Sequence, residues 1–228
     1  MHNGNMNNVE EKKALSKKLL SDLMVELRPF LSLFGVFSGK EDEMELAREF
    51  ANKFFSSLIS LENHLLAKDA ISASLLQRYS HEMFLDFFYV FGSSSIKEKV
   101  EEFFSYEKRL KTQPNLQTWR NKDTLKKEEL RKFIPPWVAG EESMKTIYKR
   151  LSDMAHPNIV SMRLNRRGAE FEYIIIINAI SLVVLNITEC FLYKPFWELV
   201  YDDKKFDMVN FGHKMRKFQT IAWKLLLD

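Results

Sequence analysis

A single cysteine, Cys190, stands in a chain of 228 residues. One thiol cannot close an internal disulfide, and nothing near it has metal-ligand spacing, so a disulfide framework and a zinc ribbon are both excluded. Set in an apolar run, Cys190 reads as a small buried hydrophobe. Turn formers are scarce as well, with 7 glycines and 6 prolines. So few cannot supply the reversals of a sheet protein, whereas long helices need few. Charge of one sign is also lacking: 34 basic and 31 acidic side chains, mostly interleaved, leave a net +3. The one-sided excess of a dedicated duplex-DNA binder is absent, although a local basic groove for single-stranded nucleic acid is compatible with near-neutrality. There is no Gly-rich phosphate loop, His-Glu-x-x-His helix or Gly-x-Ser-x-Gly elbow. His2, His64 and His213 are scattered without metal-ligand spacing. No cofactor and no metal are expected.

What the chain does have is apolar mass. Hydrophobic residues make up 46%, and phenylalanine alone counts 19. The first stretch, MHNGNMNNVEEKK, is polar and has no apolar h-region, so no signal peptide is expected there, and a reducing, cytoplasmic setting fits. The stretch Tyr173 to Leu192 is the one candidate for a membrane span. Asn178, Asn186, Thr188 and Glu189 interrupt it, and a span of about 20 residues seldom carries a carboxylate and two amides. A buried central helix is expected instead, with no membrane insertion.

Residues 1 to 8 are expected to be disordered, and residues 9 to 228 to form a single α-helical domain. The first helix is predicted over Val9 to about Leu27, with Pro29 breaking or kinking it before the apolar Phe30, Leu33, Phe34 and Phe37. A second runs from about Glu41 to Leu66, where Leu46, Phe50, Phe54, Leu58, Leu61 and Leu65 recur at helical period. A third, about Asp69 to Phe91, ends at Gly92 and is apolar around its whole circumference, which puts it in the centre. A fourth spans about Ser95 to Lys111. Thr112 to Asn121 reads as a loop, followed by a short basic helix capped by Asp123 and stopped before Pro135-Pro136. Further helices are expected over Glu141 to Ala155, up to about Tyr193, and over about Asp207 to Leu227, with an irregular segment from Asn158 to Ala169. The fold class is all-α, a multi-helix bundle of about seven or eight helices.

Two constellations can carry chemistry. On the third helix Arg78 and Glu82 are four apart and can pair. Their stripe, Ile71, Leu75, Arg78, Glu82, Leu85 and Tyr89, sets both charges among apolar neighbours, where an ion pair barely offsets its desolvation. The pair either fixes helix register or presents Arg78 to an anion-binding cleft with Glu82 orienting it. His81, off this face, is expected in solvent. The second constellation is YKRLSDMAHPN, Tyr148 to Asn158. Tyr148, Leu151 and Ala155 share one helical face, while Ser152 and His156 lie four apart beside it. His156 falls in the last turn before Pro157, where the exposed carbonyls favour an imidazolium, and histidine is suited to proton transfer near neutrality.

Arg150 followed by His156 resembles the Arg-x4–6-His pattern of the HEPN superfamily, all-α domains many of which are ribonucleases. The Leu-Ser…His-Pro run, with LLQRYSHE at Leu75 to Glu82, is also similar to a group of uncharacterised bacterial helical proteins. The resemblance covers about residues 45 to 195. It departs at Leu151, where HEPN nucleases often place a polar residue after the arginine. The resemblance implies metal-independent RNA cleavage: His156 as general base or acid, Arg150 stabilising the phosphate charge, and a homodimer that brings two motifs together. Arg78, Glu82, Tyr148, Ser152, Asp153 and Asn158 would then line the substrate, with Ser152 or Asp153 fixing the imidazole. The resemblance also implies a stress or phage-defence setting. Two other readings of the same residues remain open. In one, His156 caps a helix and Arg150 is solvated; in the other, the chain is a helical module that binds a nucleotide or a protein partner.

Weaker basic stretches occur at Lys108 to Lys111, Arg120 to Lys132 and Arg163 to Arg167, with Trp119 available for stacking. In the last helix His213, Lys214, Arg216 and Lys217 stand opposite Phe218, Ile221 and Leu225, which suits packing of its apolar side against the bundle or binding to a membrane surface.

Overall fold

The computed structural model describes residues 3–33, 41–112, 169–196 and 207–227. Among these residues every regular element is a helix, as the scarcity of glycine and proline implied. They are α1 (Asn3–Leu33), α2 (Glu41–Ala67), α3 (Ala70–Phe91), α4 (Ile96–Thr112), α5 (Ala169–Leu192) and α6 (Met208–Leu227). The helices expected between Asp123 and Ala155, and the irregular segment after Asn158, lie outside the described residues.

α1 departs from expectation at both ends. It begins at Asn3, inside the stretch expected to be disordered, and it passes through Pro29 to Leu33. Proline deprives the Val25 carbonyl of its helical partner. Val25 and Pro29 both lie on the exposed side of the helix, so water can satisfy that carbonyl. Phe30, the next residue, is fully buried. Its ring stacks on Phe211 of α6 at 5.3 Å and meets Phe191 of α5 edge-on at 4.6 Å. Burying a side chain of this size is worth about 2–3 kcal/mol, comparable to the roughly 3 kcal/mol that an interior proline costs. The packing of Phe30 therefore carries the helix past Pro29.

α2 buries the stripe that its period announces: Leu46, Phe50, Phe54, Leu58, Leu61 and Leu65. Between α2 and α3 the chain turns on two residues. Lys68 adopts a left-handed φ of 58°, and the Asp69 amide donates to the His64 carbonyl at 3.0 Å. This 6→1 bond around a left-handed residue is a Schellman ending. Asp69 then caps α3, its Oδ1 accepting from the Ser72 amide at 3.0 Å. Those hydrogen bonds to Ser72 hold the Asp69 carboxyl below the usual carboxylate range. Gly92 closes α3 with its amide on the Phe88 carbonyl at 2.9 Å.

The carboxyl ends of α1, α3 and α5 gather with the amino ends of α2 and α6 around one aromatic cluster. Phe87 of α3 lies 4.8 Å from Phe196 and 5.9 Å from Phe50 of α2, and Phe54 meets Phe191 at 6.5 Å. α1, α3 and α5 thus run one way and α2 and α6 the other. At the opposite end Lys13 of α1 donates to the Tyr173 hydroxyl of α5 at 3.1 Å. α5 is central, in contact with α1, α2, α3 and α6. Glu170–Leu192 is long and apolar enough to cross a membrane, yet 72% of its apolar 18-residue window is buried by its neighbours, as in a central core helix.

Two substitutions test this packing. Lys68→Gly should raise stability by about 1 kcal/mol, because glycine takes the left-handed conformation without the side-chain clash. Phe87→Ala should lower it by about 3–5 kcal/mol through the cavity left in the aromatic cluster. Urea unfolding followed by circular dichroism measures both.

Candidate functional site

The central α3 divides its inward face by chemistry. Its first half buries Ser74, Gln77, Ser80 and His81, and its second half Phe84, Phe87, Phe88 and Phe91. Ser74 returns its hydroxyl to the Ala70 carbonyl at 2.8 Å. The Ser80 hydroxyl is buried without a hydrogen-bond partner among the described residues. His81, expected in solvent, is only 3% exposed and lies parallel to Phe84, with ring centroids 6.0 Å apart. The reason is positional: residues 77, 81, 84 and 88 fall on one side of the helix, and that side faces the core.

Arg78 and Glu82 sit beside this face. Arg78 Nε donates to Glu82 Oε1 at 3.2 Å, with side chains 25% and 40% exposed. The pairing expected from their spacing is present, but the deep burial expected from their stripe is not. Ile71 and Leu75 are exposed, whereas Leu85 and Tyr89 are buried. The stripe passes from solvent into the core along its length, and the ion pair stands at the changeover. α4 covers the buried part. There the Tyr89 hydroxyl donates to Glu102 Oε2 at 2.8 Å and accepts from Lys99 Nζ at 2.7 Å. Burial pushes the Tyr89 phenol up, against the pull of Lys99. For Lys99 burial acts downward, yet the Tyr89 hydrogen bond and Glu102 outweigh it and raise its pKa. This triad clamps α4 to α3, and Arg78, about three turns back along α3, is held by a carboxylate and partly exposed.

A second polar feature lies on the seam of α5 and α6. Glu189 is mostly buried, and burial pushes its carboxyl up to about 7 against a hydrogen bond from Gln219 that acts the other way. Gln219 Nε2 donates to Glu189 Oε1 across the seam. The sequence shows Glu189 only as a lone carboxylate in an apolar run; its position on the packed side of α5 is what makes it titrate near neutrality. Cys190 next to it is fully buried, and burial raises its thiol well above the usual range, which removes the reactive thiolate.

Of the residues singled out in the sequence, the structure places Arg78 and Glu82 together. Arg150, His156, Tyr148, Ser152, Asp153 and Asn158 lie outside the described residues. Among the described residues no group of three or more His, Cys, Asp or Glu side chains converges as a metal site. No protein-family model matches the chain, and neither a curated protein nor a solved structure shows significant similarity to it.

The Glu189 carboxyl yields a pH prediction with a definite sign. Its folded pKa lies above its unfolded value near 4.5, so its stabilising contribution is complete below about pH 4.5 and is lost as pH rises through about 7. Wild type should therefore lose roughly 1–3 kcal/mol relative to Glu189→Gln between pH 5 and 8. Thermal melts of both proteins across that range measure the difference, and a parallel pair of pH profiles would contradict it.

Proposed function

We propose that the protein is a HEPN-like RNA-binding protein that cleaves RNA without a metal ion, acting in the cytoplasm as a homodimer in a stress or phage-defence setting. The observation that carries this reading is the spacing of Arg150 and His156 immediately before Pro157. The all-α bundle agrees with it, as does an arginine on the central helix, Arg78, that is oriented by Glu82 and partly open to solvent.

The chemistry asks for little beyond these side chains. A base takes the proton of a ribose 2′-hydroxyl, whose oxygen attacks the adjacent phosphorus. An acid returns a proton to the departing 5′-oxygen, leaving a 2′,3′-cyclic phosphate and a free 5′-hydroxyl. His156 serves as base or acid, and two copies of the chain supply one of each. Arg150 faces the charge that grows on the non-bridging oxygens. Ser152 or Asp153 holds the imidazole in one orientation. Tyr148 and Asn158 contact the substrate, and Arg78 binds a neighbouring phosphate with Glu82 as its brace.

A second reading, a non-catalytic helical module that binds a nucleotide or a protein partner, draws support from the exposed Ile71, Leu75 and Tyr79 around Arg78. Exposed apolar side chains flanking a charge suit a protein surface as well as a nucleotide.

Incubation of total RNA with excess protein in EDTA separates the two. Wild type should generate fragments ending in 2′,3′-cyclic phosphate. His156→Ala, folded by circular dichroism, should be slower by about 10²–10⁴-fold, and Arg78→Ala should raise KM more than it lowers kcat. Absence of cleavage by wild type would favour the module.

A further inference from the structure

Charge is unevenly placed in this nearly neutral chain. α6 carries Lys214, Arg216, Lys217 and Lys224 and not one acidic residue. Without these four, 30 basic and 31 acidic side chains remain, so the rest of the chain stands at −1. At 100° per residue, Val209, His213, Arg216, Lys217, Thr220, Trp223 and Lys224 fall within a sector of about 120°, and all seven are exposed. Phe211, Met215, Phe218, Ala222 and Leu225 occupy the opposite sector and are buried. Lys214, at the edge, is drawn to Glu26 of α1 with Nζ–Oε distances of 2.8 and 2.9 Å. No hydrogen bond or ion pair among the described residues engages the side chains of Arg216, Lys217 or Lys224. Trp223, 46% exposed, lies in the same sector.

Two further observations narrow the partner. An amphipathic helix that lies on a membrane inserts its apolar face, and the apolar face of α6 is already taken by the bundle. At the amino end of the stripe Gly212 opens onto unfilled space, where an added Cβ would meet nothing within 4 Å. It borders a cavity of about 240 Å³ that Phe191, Leu192 and Met208 wall and that His213 and Arg216 rim. From Gly212 to Trp223 the helix rises about 16 Å, with cations between an apolar recess and an exposed indole. Sequence-tolerant binders of single strands combine the same parts, a cationic track and aromatic platforms.

We propose that the outward face of α6 is a docking surface for single-stranded RNA, in which Arg216, Lys217 and Lys224 contact successive phosphates and Trp223 stacks on a base. The assignment rests on the RNA reading above and supplies it with a surface on a helix separate from Arg150 and His156 in sequence.

The test uses the full chain and a fluorescein-labelled 2′-O-methyl oligouridylate of about 12 nucleotides, within the site sizes of such binders. Lacking the 2′-hydroxyl, this probe stays intact whether or not the protein cleaves RNA. Anisotropy titrations over a series of salt concentrations should show binding with Trp223 quenching. In Arg216→Gln/Lys217→Gln/Lys224→Gln the log–log salt slope should become shallower by about 2, near 0.7 per phosphate lost. Affinity at about 0.1 M salt should fall by more than roughly tenfold. Trp223→Leu should weaken binding at least about fivefold and leave the slope unchanged. Unaltered slope and affinity in the folded triple variant would overturn the proposal, as would no binding of the probe by wild type. Phosphatidylglycerol vesicles that depend on the three cations more than the probe does would also overturn it, assigning the face to a lipid surface. Probe binding through these cations without any cleavage of natural RNA upholds the surface and removes the nuclease. Cleavage with an unchanged KM in the triple variant does the reverse.

Discussion

Phe30 at the end of α1 stacks on Phe211 of α6 and stands edge-on to Phe191 of α5, and through these rings the outer helices are tied to the centre. Phe191 in turn meets Phe54, and Phe196 meets Phe87 and Phe91. One aromatic cluster thus joins α1, α2, α3, α5 and α6 at a single end of the bundle. Edge-to-face and offset ring pairs add about 0.5–1.5 kcal/mol each beyond area burial. With so many rings at one end, the other end is free to hold polar groups, and α3 shows the division within a single helix. Its Phe84 to Phe91 half locks into the cluster, while its Ser74 to His81 half carries hydroxyl, amide and imidazole groups.

That division gives the candidate site its setting. A helix pinned rigidly by Phe87 and Phe91, and clamped to α4 through Tyr89, presents Arg78 from a firm base. The guanidinium is partly solvated and braced by one carboxylate. It therefore keeps its charge available while losing some of the rotamer freedom that binding an anion would otherwise remove. The α6 face differs in kind: its cations are exposed and unbraced, suited to a flexible strand more than to a fixed anion.

Much of this arrangement was legible in the sequence, for reasons that particular residues show. The stripe from Leu46 to Leu65 buries as its period requires, because a single-sided pattern leaves only one orientation for α2. Asp69 starts α3 because its carboxylate caps a helix wherever the helix packs, and α3 ends at Gly92 as expected, although Gly92 stays in the right-handed region that any residue adopts. Where the structure differs from the sequence pattern, the cause is tertiary packing. At Pro29 the helix is not broken, and the burial of Phe30 that carries it onward depends on α5 and α6. His81 lies off the Arg78–Glu82 face, which suggests solvent, but polarity alone does not say which side of α3 meets the core. The spacing of Arg78 and Glu82 sets their pairing, whereas their partial exposure is a matter of tertiary packing. Glu189 was visible as an interruption, but its near-neutral titration comes from packing against α6.

The two-residue turn at Lys68 and Asp69 has a consequence for how the protein is made. It lets α2 and α3 pair as soon as both have left the ribosome, since their contacts are local and loop closure is cheap. Their rings, Phe50, Phe54, Phe87 and Phe91, find each other then, but Phe191, Phe196 and Phe211 belong to chain synthesised much later. At about 5–20 residues per second that delay is on the order of ten seconds. During it an α2–α3 hairpin leaves an aromatic flank uncovered. Until the last helices are made, the apolar flank of such a hairpin lacks the rings that cover it in the finished fold.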